Sequence, residues 1–204
     1  MEELKNIKVA LLGSGTVGTG VYKLIERQRE ELPHKVGAGL TVSKVLVRDK
    51  NKKRDGIDPS VLTDQWEDII TDDEIQIVVE VMGGIEPART YITEALQAGK
   101  NVVTANKDLM AVHGGELLDI ASHNGCDLLF EASVAGGIPI IRPLKQCLAG
   151  NYISEAMGIV NGTTNFILTK MTHEGMEFDE ALALATELGL SLIHISEPTR
   201  LQLI

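Results

Sequence analysis

Aromatic residues make up only 3% of this 204-residue chain. Any core must therefore be built from Val, Ile, Leu, Ala and Met. Cysteine is almost missing: Cys126 and Cys147 fit neither a disulfide framework nor a CxxC metal pair. They read as two buried, reduced thiols. Long hydrophobic runs are lacking too. The best, residues 75–81, already contains Glu80, so no membrane span is expected. The opening Met1-Glu2-Glu3-Leu4-Lys5-Asn6 lacks the basic-then-apolar order of a signal peptide, so none is expected there. A cytoplasmic protein is the expectation. Positive charge is in deficit, with 19 Lys and Arg against 29 Asp and Glu, a net charge of -10. Such a surface repels phosphate backbones and argues against nucleic acid as a partner. The five histidines form no i, i+4 pair and no HExxH, and no G-x-S-x-G elbow is present.

What the chain does have is alternation. Hydrophobic residues account for 44% of it, enough for a folded core in one large or two small domains. Apolar, β-branched runs at 7–12, 40–47, 75–82, 101–104 and 127–131 read as strands. Between them lie helical patterns: one beginning near Thr16, a short one at 64–72, one after Pro87 that closes at Gly99, and one around 117–121 that closes near Gly125. Strands and helices alternating at this spacing predict an α/β fold, a Rossmann-type doubly wound parallel sheet. Gly136-Gly137-Ile138-Pro139 breaks the rhythm and sets the expected boundary, with a nucleotide-binding domain over 1–137. Beyond it, 153–160 reads as a strand of a second domain. Thr163 or Thr164 is expected to cap one helix, and Asp179 another that ends at Gly189.

Gly13-Ser14-Gly15-Thr16-Val17-Gly18 matches G-x-G-x-x-G between the first strand and the first helix. Gly13 permits the tight turn, Gly15 a close approach of backbone to a pyrophosphate, and Gly18 close helix–strand packing. The helix N-terminus offers free N–H groups to the phosphates. An NAD-binding site places an acid at the end of the second strand. Here Arg48 stands there, followed by Asp49 and by Lys50, Lys52, Lys53 and Arg54. A guanidinium at that point can pair with a 2′-phosphate, so NADP(H) is expected over NAD(H). The other reading of 48–54 is a solvated basic loop.

Five segments, IKVALLGSGTVGTGV, VVEVMGGIEPA, VVTANKDLMA, FEASVAGGIPIIRPL and GIVNGTTNFIL, together resemble homoserine dehydrogenase over about residues 5–189. The resemblance implies reversible oxidation of L-homoserine to L-aspartate 4-semialdehyde with NADP or NAD, on the route to threonine, methionine and isoleucine. It implies that Met82, Gly83 and Gly84 line the nicotinamide side of the cofactor and that Lys107 serves cofactor and active site. It also puts Asn161, Gly162 and Thr163 at the substrate, with Gly162 also at the cofactor. A small polar turn there could equally be an ordinary helix cap. The resemblance further implies a monovalent cation, commonly sodium, on Glu131 and the backbone oxygens of Val134, Gly136 and Ile138. The alternative is a Glu131 that accepts N–H bonds from an adjoining helix. Homodimers or higher homo-oligomers are implied for the full-length form.

After Glu187-Leu188-Gly189 the chain departs from the family pattern. Residues 138–190 are expected to be the incomplete start of an α+β substrate and dimerisation domain. Residues 191–204 read as foreign sequence, from an adapter, a vector or a frameshift. The family's proton-transferring lysine and its aspartate have no counterpart here. The expectation is a chain that binds NADPH and turns over homoserine poorly or not at all. A non-catalytic NADP-binding module is the alternative.

Overall fold

Seven residues at the start of the chain, Asn6–Leu12, form strand β1, and its side-chain alternation organises the layers on either side of it. Val9 and Leu11 point to one face, and Ala10 and Leu12 to the other; all four are buried. A strand buried on both faces needs partners on both edges, and β1 has them. The computed structural model describes residues 5–159 and 161–188, and the chain divides after Cys147 into two compact units.

In the first unit β1 leads into α1 (Thr16–Arg27), the short α2 (Leu32–Val36) and β2 (Gly39–Leu46). A two-residue β3 (Leu62–Thr63), the single turn α3 (Glu67–Ile70) and β4 (Ile75–Glu80) follow. Next come α4 (Ala88–Gln97), β5 (Asn101–Thr104), α5 (Lys107–His123) and β6 (Leu128–Leu129). The sheet has the order β3-β2-β1-β4-β5-β6, with every pair parallel. This is the expected Rossmann-type sheet. β3 and α2 were not foreseen, and α5 begins ten residues before the stretch that signalled it.

Two cores result, one per face. Val9, Leu11 and Val45 pack with Tyr22 and Ile25 of α1. Ala10, Leu12, Val78 and Val102 pack with Ile92 and Leu96 of α4 and Leu109 and Leu117 of α5. Each wholly buried Leu or Ile stabilises the fold by roughly 1.5–3 kcal/mol. The lone tryptophan works at the margin: Trp66 stacks on Tyr91, ring centres 4.5 Å apart, and donates from Nε1 to Glu94. Neither cysteine is fully buried, contrary to expectation. Cys126 is half-buried and Cys147 exposed, since it ends the last turn of the first unit.

The first compact unit ends at Cys147. The Glu131 carboxylate accepts hydrogen bonds from the backbone N–H groups of Ile140, Ile141 and Arg142. That tether holds 138–142 to the end of the sheet.

The second unit contains α6 (Gly162–Glu174) and α7 (Phe178–Glu187), joined by a small core of Ile167, Ala181 and Ala185. Residues 153–159 form no strand, against the expectation for 153–160; residue 160 lies outside the described residues. A strand needs a partner's N–H and C=O groups, and none of the described residues pairs with this segment. Tyr152 and Met157 are accordingly 96% and 91% exposed. Asn161, rather than Thr163 or Thr164, caps α6: its Oδ1 accepts from the Thr164 N–H at 2.9 Å. α7 is preceded by Glu177, with Asp179 inside its first turn. The expected end at Gly189, and the stretch 191–204, lie outside the described residues.

Candidate functional site

In a doubly wound sheet a crevice opens at the carboxyl edge where the strand order reverses. Here the reversal lies between β1 and β4. A cleft of about 590 Å³ occupies this place. It brings together Gly13, Ser14, Gly15, Arg48, Met82 and Gly83, six of the expected cofactor residues.

The glycine turn is tied to both neighbouring strands. Gly13 N–H donates to the Leu46 carbonyl at 3.0 Å, and Val81 N–H donates to the Leu12 carbonyl at 3.0 Å. Gly13 has φ +106°, a conformation that favours glycine. A Cβ on it would stand 3.1 Å from the Val81 oxygen. A Cβ on Gly18 would lie 2.2 Å from the Gly13 oxygen, so close helix–strand packing requires this glycine. Gly15 differs, because a Cβ there would meet nothing within 4 Å. The space above it is open, and no side chain caps α1. The first N–H groups of α1 are therefore left without a side-chain cap next to the Gly13–Gly15 wall of the cleft, a helix start at which an anion is favoured. Thr16 and Val17 sit exposed in its first turn.

The β2 side of the cleft is cationic. Arg48 is exposed at the end of β2. Arg54, which sequence reasoning left in an undifferentiated basic loop, spans the gap. Its Nε donates to Ser14 Oγ at 2.6 Å, and its Nη1 donates to the carbonyls of Asp49 and Lys52 at 2.8 and 2.7 Å. Lys50 is spent on Asp64 at 3.1 Å. The Arg54–Ser14 contact joins residues 40 apart in sequence, and no local pattern announces it.

The β4 side is built on a buried network. Glu80, with no exposed surface, accepts on Oε1 from the N–H groups of Met82 and Gly83 at 2.8 and 3.2 Å. Its Oε2 accepts from Thr104 Oγ1 at 2.6 Å. Thr104 Oγ1 in turn accepts from the Asn106 N–H. Asn106 caps α5 through the Leu109 N–H and donates from Nδ2 to the Gly84 carbonyl at 2.6 Å. The 82–84 turn is thus held from below by the ends of β4 and β5. Gly84 and Lys107 are on this side but outside the lining of the cleft. Lys107 opens α5, is 66% exposed and lies 3.7 Å from Asp108.

Glu131, expected at a cation, has its carboxylate engaged. Three of its roughly four lone-pair positions are filled by the N–H groups of 140–142. Burial pushes its carboxyl up. The three N–H groups and the nearby Arg142 charge outweigh this and hold it below the usual range. No group of three or more His, Cys, Asp or Glu that could hold a metal occurs among the described residues. Asn161, Gly162 and Thr163 belong to the second unit, at the start of α6. No helix among the described residues is long and apolar enough to cross a membrane.

A parallel sheet with a glycine turn at its switch point, an uncapped helix start and a cationic flank defines a dinucleotide-binding domain. The family model for the NAD-binding domain of homoserine dehydrogenase matches residues 13–131, and the model for homoserine dehydrogenase itself matches 139–192. A homoserine dehydrogenase of Bacillus subtilis is 52% identical over 189 residues, which is 92% of this chain and 44% of that protein. The crystal structure of a homoserine dehydrogenase from Thiobacillus denitrificans superimposes with a TM-score of 0.83 at 43% identity, covering 93% of this chain and 44% of that one. A hyperthermophilic archaeal homoserine dehydrogenase in complex with NADPH gives 0.74 at 29% identity, over 93% of this chain and 63% of that one. The chain belongs to the homoserine dehydrogenase family. It spans less than half the length of the Bacillus relative.

Proposed function

We propose that the chain carries the cofactor-binding part of an enzyme that interconverts L-homoserine and L-aspartate 4-semialdehyde, a step toward threonine, methionine and isoleucine. The observation that supports it best is the cleft at the switch point, where six expected cofactor residues meet. The residues fit a dinucleotide. The open space over Gly15 and the uncapped start of α1, with Ser14, Thr16 and Val17, suit a pyrophosphate. Gly13 and Gly18 let the turn form. Met82, Gly83 and Gly84 suit the nicotinamide end, where the bound dinucleotide supplies the hydride acceptor. Arg48 suits a 2′-phosphate, which favours NADP(H) over NAD(H).

Lys107, at the carboxyl edge of β5, is assigned the ordering of cofactor and substrate. Asn161, Gly162 and Thr163 are assigned to the substrate; the Asn161 amide already caps α6, so its contribution to a ligand comes from its remaining N–H groups. A sodium ion is assigned chiefly to the carbonyls of Val134, Gly136 and Ile138, with the one remaining lone pair of Glu131; oxygen donors of this kind suit a hard monovalent ion. A homodimer and a cytoplasmic setting complete the reading.

The test is homoserine-dependent reduction of NADP⁺, measured on this chain and on residues 1–190 continued through the rest of the Bacillus subtilis relative. Reduction by either protein supports the assignment. NADPH binding with no homoserine-dependent reduction by either folded protein defeats it.

A further inference from the structure

Among the described residues of the first unit two charged side chains are buried, at opposite edges of the sheet. Lys100, at the amino edge, donates from Nζ to the carbonyls of Asp72 and Ile75, a purely structural bond set. Glu80, at the carboxyl edge, is different. Three neutral donors meet its carboxylate: Met82 N–H, Gly83 N–H and Thr104 Oγ1. No Lys, Arg or His among the described residues forms an ion pair with it.

Those bonds suit a carboxylate: three donors converge on it, and a glutamine nitrogen could not accept from Thr104 Oγ1. All three donors are neutral, so the carboxylate is hydrogen-bonded without being paired to a cation. A buried carboxylate without a cation still costs more than a buried amide. Its position gives that unpaired charge a use. Glu80 lies inside the Met82–Gly83 turn, and that turn lines the cleft on the side of the switch point away from Arg48. A ligand crossing the cleft with its phosphorylated adenosine at Arg48 sets its nicotinamide toward this turn. The ring is positive when oxidised and neutral when reduced.

Resting on the dinucleotide reading given above, we propose that Glu80 is a positioning residue that fixes the 82–83 turn and weights the site toward the oxidised, cationic nicotinamide. The missing counter-ion of Glu80 arrives with the cofactor.

The experiment is a fluorescence titration of the whole chain with NADPH, followed by displacement with NADP⁺ and with 2′-phospho-ADP-ribose, which lacks the ring. For Glu80→Gln the affinity for NADP⁺ relative to NADPH falls by at least about tenfold, well inside the roughly thousandfold ceiling of a unit charge about 4 Å away in a protein. Affinity for 2′-phospho-ADP-ribose stays within about twofold. An unchanged ratio with the fragment still bound overturns the proposal and leaves the dinucleotide reading standing. If the unaltered chain binds none of the three ligands, the dinucleotide reading falls and takes the proposal with it. If Glu80→Gln no longer binds the fragment, Glu80→Met, neutral, of similar volume and without an amide N–H to satisfy, is titrated in its place. The same fall in the NADP⁺-to-NADPH ratio supports the role of Glu80, and an unchanged ratio overturns it.

Discussion

The carbonyl oxygen of Gly13 occupies the space into which a Cβ on Gly18 would project, at 2.2 Å. Strand end and helix start touch backbone to backbone at this point, and neither has a flexible side chain that could yield. The three glycines of the turn therefore answer to different demands. Gly18 serves packing, Gly13 serves conformation, and Gly15 serves nothing within the chain itself.

That division predicts opposite phenotypes for two similar substitutions. Gly18→Ala overpacks backbone against backbone and lowers stability by about 2 kcal/mol or more, seen in urea unfolding. Gly15→Ala changes stability by less than about 1 kcal/mol and weakens NADPH binding at least tenfold. Equal stability losses in both variants, with NADPH binding intact in Gly15→Ala, would contradict the assignment of Gly15 to the phosphates.

Arg48 is exposed at the end of β2, whereas Arg54 is committed to Ser14 and two carbonyls. Arg48→Ala should therefore act on the 2′-phosphate selectively. A charge-assisted hydrogen bond contributes about 1.5–3 kcal/mol, so NADPH affinity drops roughly 10- to 100-fold while NADH affinity changes little. Comparison of the two titrations checks this; parallel losses for both cofactors would remove Arg48 from the phosphate site.

The Glu131 tether carries a pH signature. Its carboxyl is held below the ordinary value of 4.5 in the folded chain. The unfolded chain therefore binds its proton more readily, and the stabilisation is complete above about pH 4.5 and lost as pH falls through the folded value. Hydrogen-exchange protection of the 140–142 amides should decline over that acid range. In Glu131→Gln protection should be low at neutral pH and nearly flat with acid. A wild-type acid profile retained in Glu131→Gln would exclude the carboxylate as the tether.

Much of this was legible in the residues, and the exceptions share a cause. The strand at Asn101–Thr104 and the glycine turn could be read because period and spacing are local signals. β3, with two residues, is too short to carry a period. α5 contains Gly114 and Gly115 and has no clean apolar stripe before Leu117, so its first turns gave no warning. Residues 153–159 have strand-like composition, yet composition cannot supply a pairing partner. Among the residues that line the cleft, Arg48 could be singled out because strand ends have a known chemistry. Arg54 and Glu80 were missed as site residues because their meaning lies in partners distant in sequence, Ser14 and Thr104. Glu80 registered only as the charge that interrupts a hydrophobic run.

The central position of β1 has a consequence for how the chain assembles. Lys8 aligns with Thr41 on one side and with Ile75 on the other. During synthesis the middle of the sheet is made first and completed late. Its four apolar residues, 9–12, stay open on one edge until 75–80 have left the ribosome. Parallel pairing of distant segments is slow, and an open apolar edge invites the wrong neighbour. Lys8, paired with Glu74 in the finished fold, stands at the head of that run as the charge that discourages association while the strand waits.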